Sequence, residues 1–315
     1  MNNINREDLR HPEKPLLGVA GVLLRSFGIY AVGAALTILF ARFVLKTDFS
    51  DLNSFLAGPA DKDQKQTLLQ LLQGFSHFMQ FILLPLLYIM FYNKSLFSIF
   101  FPDLRKSVVF TIMGFFMFFT FLPVLQYLAQ FNQSIDLPAS MDLLEKKIMA
   151  MEEVGKKGTL FLIEYDSRQE FLICMLVIAV LPAVGEELFF RGIIQNELQY
   201  ITRNPHVAIW FAAFIFSFFH FQFYGFIPRL LLGVFFGYMY FWSGNILIPM
   251  LLHFANNAGT LILMHRFGHK FEELERANVQ KTPAMFLVVS IGLTAVMVYY
   301  CIRFYKERIE DHESQ

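Results

Sequence analysis

Residues 107–129 read SVVFTIMGFFMFFTFLPVLQYLA, a run of phenylalanine, methionine and aliphatic residues without one charged side chain. A helix needs roughly 20 mostly apolar residues, at about 1.5 Å each, to cross a bilayer. This stretch supplies them. Comparable runs can be drawn at 22–45, 68–92, 169–190, 206–222, 227–243, 245–265 and 283–303, which makes about eight expected spans. The fifth and sixth are short and are joined by the tight FQFYGFIP segment at 221–228. The chain therefore reads as all-α, a polytopic membrane helical bundle, embedded in the lipid bilayer as an integral multi-pass protein.

Composition agrees. Of 315 residues 56% are hydrophobic, 39 of them phenylalanine, and only 17% are charged, against about a quarter in soluble domains. The formal net charge of zero offers no basic excess for nucleic acid. Cys174 and Cys301 lie in separate apolar runs, which suggests neither a disulfide framework nor a thiolate zinc site.

The organisation expected is a polar N-terminal tail over 1–21, a transmembrane bundle over 22–303 and a polar C-terminal tail over 304–315. The opening MNNINREDLRHPEKP lacks the basic, apolar and small-residue regions of a signal peptide, so it reads as a retained tail. Eight spans put both termini on one side. Lys and Arg near the helix ends are almost balanced between the two sets of loops. The basic residues of the tails (Arg6, Arg10 and Lys14; Arg303, Lys306 and Arg308) lean towards the cytoplasm. In the longest polar connection, about 130–168, Met141, Leu144, Ile148 and Met151 recur at helical spacing. That pattern fits either an amphipathic helix on the membrane surface or a solvated helix in a loop.

Charge appears where an apolar run should exclude it, in VGEELFFRGII at 184–194. A charged side chain at membrane depth costs roughly 2.5–3.5 kcal/mol on insertion scales, so it is usually paired and faces a bundle interior or a water-filled cavity. Glu187 and Arg191, four residues apart, share a helix face and can form an ion pair. Glu186 lies about 100° round the helix and cannot use Arg191 equally well. The doublet suggests a division of labour, one carboxylate held by arginine and the other available as base or ligand. On spacing alone, the same three charges could simply mark the membrane–water boundary. Other polar groups shift that balance. His220 ends the fifth run, and His253 and Asn257 share a face well inside the seventh.

These groups suit hydrolysis. A carboxylate in an apolar setting can take a proton from water near neutral pH. One histidine can orient that water or protonate a leaving amine, and a second histidine with an asparagine amide can donate to an oxyanion. Two histidines and a carboxylate also make a known zinc set. The spacing leaves both routes open.

At these residues the chain resembles the CAAX protease and bacteriocin-processing (CPBP, or Abi) family of intramembrane endopeptidases, type II CAAX prenyl endopeptidases among them. Its EExxxR signature is met by Glu186, Glu187 and Arg191, its FxxxH by Phe216 and His220, and its histidine–asparagine pair by His253 and Asn257. The resemblance covers about 170–260. It implies a helical bundle with an active-site cavity inside the membrane and a peptide or membrane-protein substrate. By position, Glu186 and His220 would activate water, His253 and Asn257 would stabilise the oxyanion, Glu187 and Arg191 would support them, and Phe216 would pack. Zinc is possible, and Glu186, His220 and His253 would then hold it; a metal-free mechanism is preferred. The rival classes are a transporter or channel using the same charges as an ion path, and a non-catalytic scaffold. No repeated halves with Gly/Pro-broken spans stand out, as many transporters would show, and a scaffold need not keep the full set.

Overall fold

The computed structural model describes residues 18–46, 55, 61–92, 104–267 and 284–313. Arg6, Arg10 and Lys14 of the expected tail lie outside the described residues. In chain order the helices are α1 Gly18–Val44, α2 Lys62–Phe91, α3 Leu104–Gln133, α4 Asp142–Ile163, α5 Arg168–Thr202, α6 Pro205–Phe218, α7 Phe226–Ser243, α8 Leu247–Phe267 and α9 Ala284–Glu313. The last continues through most of the expected tail over 304–315.

Seven of these are long and apolar enough to cross a membrane: α1, α2, α3, α5, α7, α8 and α9. The chain is an integral multi-pass membrane protein with an all-α bundle. The expected fifth span is shorter than the 206–222 run. It is the 14-residue α6, about 21 Å at 1.5 Å per residue, against a hydrocarbon core of about 30 Å. The backbone turns left-handed at Phe221 (φ 51°), which ends the helical path before the apolar run does.

The expected fourth span, 169–190, is longer than its apolar run. Ser167 opens α5 with a capping box to Glu170, satisfying two backbone N–H groups reciprocally. The helix then continues past residue 190 to Thr202. Left-handed Arg203 stops it, and Asn204 caps α6 by accepting from the His206 and Val207 N–H groups.

Burial orders the bundle. Half of the most apolar stretch of α5, and of α7, is buried, against 11% for α1 and α9. The outer helices turn large apolar side chains outward, as Phe43, Phe91 and Met285 do, which suits a lipid-facing rim. Phe189, Phe190, Ile193 and Ile194 of α5 pack on Ala208, Ala212 and Phe216 of α6. Helix α5 also lies close to α7. At Gly237 an added Cβ would come within 2.8 Å of the Ile209 side chain and 3.0 Å of the Gln195 amide oxygen. Gln195 donates there to the Gly237 carbonyl at 3.2 Å. Two apolar hollows open on the outside of the bundle, one of about 580 Å³ beside Trp210 and Phe214, the other of about 300 Å³ beside Phe27 and Phe219. Neither includes a residue of the site described next.

The connection over 130–168 is helical as its periodicity predicts. Leu144 and Met151 of α4 are exposed, with Met141 just before it, and Ile148 is half-buried. The polar side of α4 grips the loop after His220. Glu152 accepts from the Tyr224 N–H at 3.1 Å, and Glu145 accepts from its hydroxyl at 2.9 Å.

Candidate active site

The charged cluster sits inside the bundle and not at its rim. Glu187 and Arg191 are 0% and 1% exposed, Glu186 8% and His253 4%. These are not solvated helix-end charges. Arg191 donates to Glu187 Oε1 at 2.9 Å and to the Gly233 carbonyl of α7 at 2.8 Å. Its guanidinium lies between the Phe216 and Phe236 rings, 5.1 and 5.6 Å from their centres, close enough for cation–π attraction. The expected ion pair is therefore present, enclosed by two aromatic faces and a backbone acceptor.

Glu187 has a further partner. His253 Nδ1 stands 2.8 Å from the same Oε1. An ionised carboxylate only accepts, so His253 donates from Nδ1. Its ring stacks on Phe236 and meets Phe216 edge to face. Fixed in this way, His253 turns Nε2 towards Glu186 Oε2, 3.9 Å away. The arginine-bound glutamate thus orients the histidine that faces the other glutamate. Phe216 packs, as expected, against Arg191, His220, His253 and Phe190.

His220 follows α6. Its Nδ1 is 2.8 Å from the Phe216 carbonyl, an acceptor, so the proton lies on Nδ1 and Nε2 is left as a base. The loop behind it is pinned on three sides. Ser217 donates to the Phe226 carbonyl, Asn132 of α3 bonds both the Phe223 carbonyl and the Ile227 N–H, and α4 holds Tyr224. Desolvation, and then the hydrogen bond given to Glu145, push the Tyr224 phenol above its usual range. Among the described residues His220 makes no ion pair with Glu186 within 4.0 Å.

Asn257 lies one turn from His253 on α8. Its Oδ1 accepts from Asn256 at 3.1 Å, which leaves its N–H pair as the group it can offer. Among the described residues it makes no direct hydrogen bond to Glu186, His220 or His253. The helices thus bring Glu186, Glu187, Arg191 and His253 into direct array, with His220 and Asn257 on flanking positions.

Two further groups went unread in the sequence. His77 of α2 places Nε2 3.5 Å from Glu186 Oε1. It had a signal, for Gln73 and His77 are polar, four residues apart and set in an apolar stretch, as His253 and Asn257 are. Arg229, on the first turn of α7, donates to Gln222, and its Nη1 is buried without a protein partner.

Among the described residues no three His, Cys, Asp or Glu side chains form a group able to hold a metal ion. Glu186, His220 and His253 as placed do not make such a group, although both histidines give Nδ1 to other acceptors and keep Nε2, the nitrogen a metal would take.

Comparison with known proteins falls on these same helices. Residues 168–259, from the start of α5 to just past Asn257, match the family described as type II CAAX prenyl endopeptidase Rce1-like. An uncharacterized protein of Bacillus subtilis (strain 168), YpbD, is 30% identical over 117 residues, which cover 35% of this chain and 57% of that protein. The chain thus spans little more than half the length of that relative. No solved structure matches. Glu186, Glu187, Arg191, Phe216, His220, His253 and Asn257 all lie inside the stretch 168–259 that matches the Rce1-like type II CAAX prenyl endopeptidase family.

Proposed function

We propose that this protein is an intramembrane endopeptidase that hydrolyses a peptide bond of a peptide or membrane-protein substrate through water activated by Glu186 and His220. The observation that carries the reading is the state of the Glu186 carboxylate. It is buried, unpaired with arginine, and faced by imidazole nitrogens at 3.5 and 3.9 Å. A carboxylate so placed is open to a water molecule.

In this reading Glu186 takes a proton as the water oxygen bonds to the substrate carbonyl carbon. The carbonyl electron pair moves to oxygen, and the Asn257 amide, together with His253, stabilises the resulting oxyanion. The C–N bond then breaks, and the proton first taken from water passes to the leaving nitrogen. A positioned general base contributes about 10²–10⁴-fold, and one oxyanion donor about 10²–10³-fold. Arg191 and Glu187 act earlier, by fixing His253. The mechanism uses no metal.

The test is cleavage of fluorogenic peptides, prenylated and unprenylated, by purified wild type and Glu186→Gln in nanodiscs, with and without a strong chelator. Wild type should cleave, Glu186→Gln should not, and the chelator should leave the rate unchanged. Equal cleavage by both proteins would sink the role of Glu186. Loss of activity to the chelator, restored by added zinc, would overturn the metal-free mechanism.

A further inference from the structure

His77 belongs neither to the matched stretch 168–259 nor to any signature met by this chain, yet it contacts Glu186. Its side chain is 13% exposed, and its Nε2 stands 3.5 Å from Glu186 Oε1. Two features of the helices bring it there. The first is Gly185, next to Glu186. A Cβ at that position would come within 2.7 Å of Phe81 Cβ and 3.1 Å of Ile82 Cγ1, so only glycine lets α2 and α5 approach this closely. The second is a widened π-helical turn, Phe78–Leu83, that starts directly after His77. Two further π turns, Met175–Val180 and Leu188–Gln195, flank the glutamate pair on α5. Such turns shift the faces on either side of them and gather at functional sites.

The ring has a defined orientation. Its Nδ1 meets the Gln73 amide nitrogen at 2.9 Å and the Gln73 backbone carbonyl at 3.3 Å, and these contacts ask for opposite tautomers. The shorter one needs Nδ1 as acceptor, because an amide N–H₂ only donates. The carboxylate at the far side of the ring needs Nε2 as donor. Both agree on a proton at Nε2. Phe81, 5.4 Å away between ring centres, supports the ring from the side.

We infer that His77 is a positioning residue for the general base, donating from Nε2 to Glu186 Oε1 and so leaving Oε2, the oxygen that faces His253, to take the proton from water. Gln73 sets the tautomer, His77 sets the carboxylate, and Glu187 sets the opposing histidine. This rests on the hydrolytic reading above for the role of Glu186, whereas the contact itself does not.

The experiment compares full-length wild type, His77→Phe and His77→Gln in nanodiscs, each checked for an unchanged melting temperature. Phenylalanine keeps a ring and loses the donor; glutamine returns an N–H at a similar reach. Misplacement of a reacting group by an ångström costs up to about 100-fold. His77→Phe should therefore lower kcat by about 10–100-fold with KM nearly unchanged, and His77→Gln should restore most of the loss. An unaltered kcat in His77→Phe, or a glutamine variant as slow as the phenylalanine one, would overturn the inference. A second measurement needs no turnover. Nitrogen-15 histidine NMR, with the His77→Phe spectrum identifying the signal, should find the His77 proton on Nε2 in wild type and a loosened preference in Glu186→Ala. A proton on Nδ1 would overturn the inference even in an active enzyme. If wild type cleaves no peptide while the proton is on Nε2, the hydrolytic reading has failed and the His77–Glu186 contact stands.

Discussion

Helix α5 carries two buried acidic clusters, and they are built on different plans. Near its C-terminal end Glu197 is 2% exposed, and both of its oxygens are engaged. Arg25 of α1 donates to Oε2 at 2.7 Å, and the Tyr88 hydroxyl of α2 donates to Oε1. Ten residues earlier Glu187 is also firmly held, with Arg191 and His253 both bonded to one oxygen. Glu186, beside it, has two imidazole neighbours, each too far for a strong hydrogen bond. All three are glutamates on one helix of a membrane bundle. Glu187 keeps a buried Oε2 without a partner, but its other oxygen is held by two strong donors; a carboxylate held by strong donors ties helices together, and one that meets only distant imidazoles and keeps an oxygen for water can exchange a proton. Burial in the bundle marks all three positions as costly, and the donors that meet each carboxylate separate scaffold from chemistry.

The largest effect that could break this comparison is at Glu186. Glu186→Gln should lower peptide cleavage by about 10²–10⁴-fold while leaving the melting temperature in detergent unchanged, since no strong partner is lost. A large fall in melting temperature would mean that Glu186 is a scaffold residue like Glu197. Next in size is Arg191→Ala, which strands the Glu187 carboxylate at 0% exposure. Breaking a buried pair from one side costs about 3–5 kcal/mol, so thermal unfolding should come markedly earlier. Activity should fall as well, because His253 loses a fixed acceptor. An unchanged melting temperature would show that Glu187 is satisfied without Arg191.

Much of this was legible in the sequence, for identifiable reasons. The spans follow from apolar run length, which is local, and Glu187–Arg191 follows from i,i+4 geometry, which is local too. What escaped depends on partners far along the chain. The apolar run drawn at 169–190 stops short of Gln195, Asn196 and Glu197, which are polar. Their partners, Gly237, Tyr240, Arg25 and Tyr88, are 42 to 172 positions away, and those partners extend α5 to Thr202. The end of α6 escaped for the opposite reason, since the apolar run, broken by His220, goes on to Phe221 while the helix stops at Phe218. His77 was missed although Gln73 lay four residues before it, because a lone polar pair acquires meaning only when another helix brings a carboxylate to it.

The smallest effect is the sharpest test of the comparison, since it predicts a change in stability with none in chemistry. Glu197→Gln keeps the shape of the side chain and removes its charge. The Arg25 partner is 38% exposed, so water compensates it when the pair is broken, and the loss should be confined to a charged hydrogen bond or two, about 1.5–3 kcal/mol. Tyr88→Phe removes the other donor, a single hydrogen bond to the same carboxylate, and should cost about 1.5–3 kcal/mol as well. The hydrogen bonds that join Glu197 to Arg25 and Tyr88 lie away from Glu186, and kcat at a temperature well below unfolding should match wild type in both variants. Measured together, the two substitutions should be less than additive, because they share one carboxylate. Full additivity would indicate that Arg25 and Tyr88 stabilise α5 independently. A fall in kcat without a fall in stability would show instead that the far end of α5 is coupled to the site, and that saturation of its donors is no mark of a purely structural role.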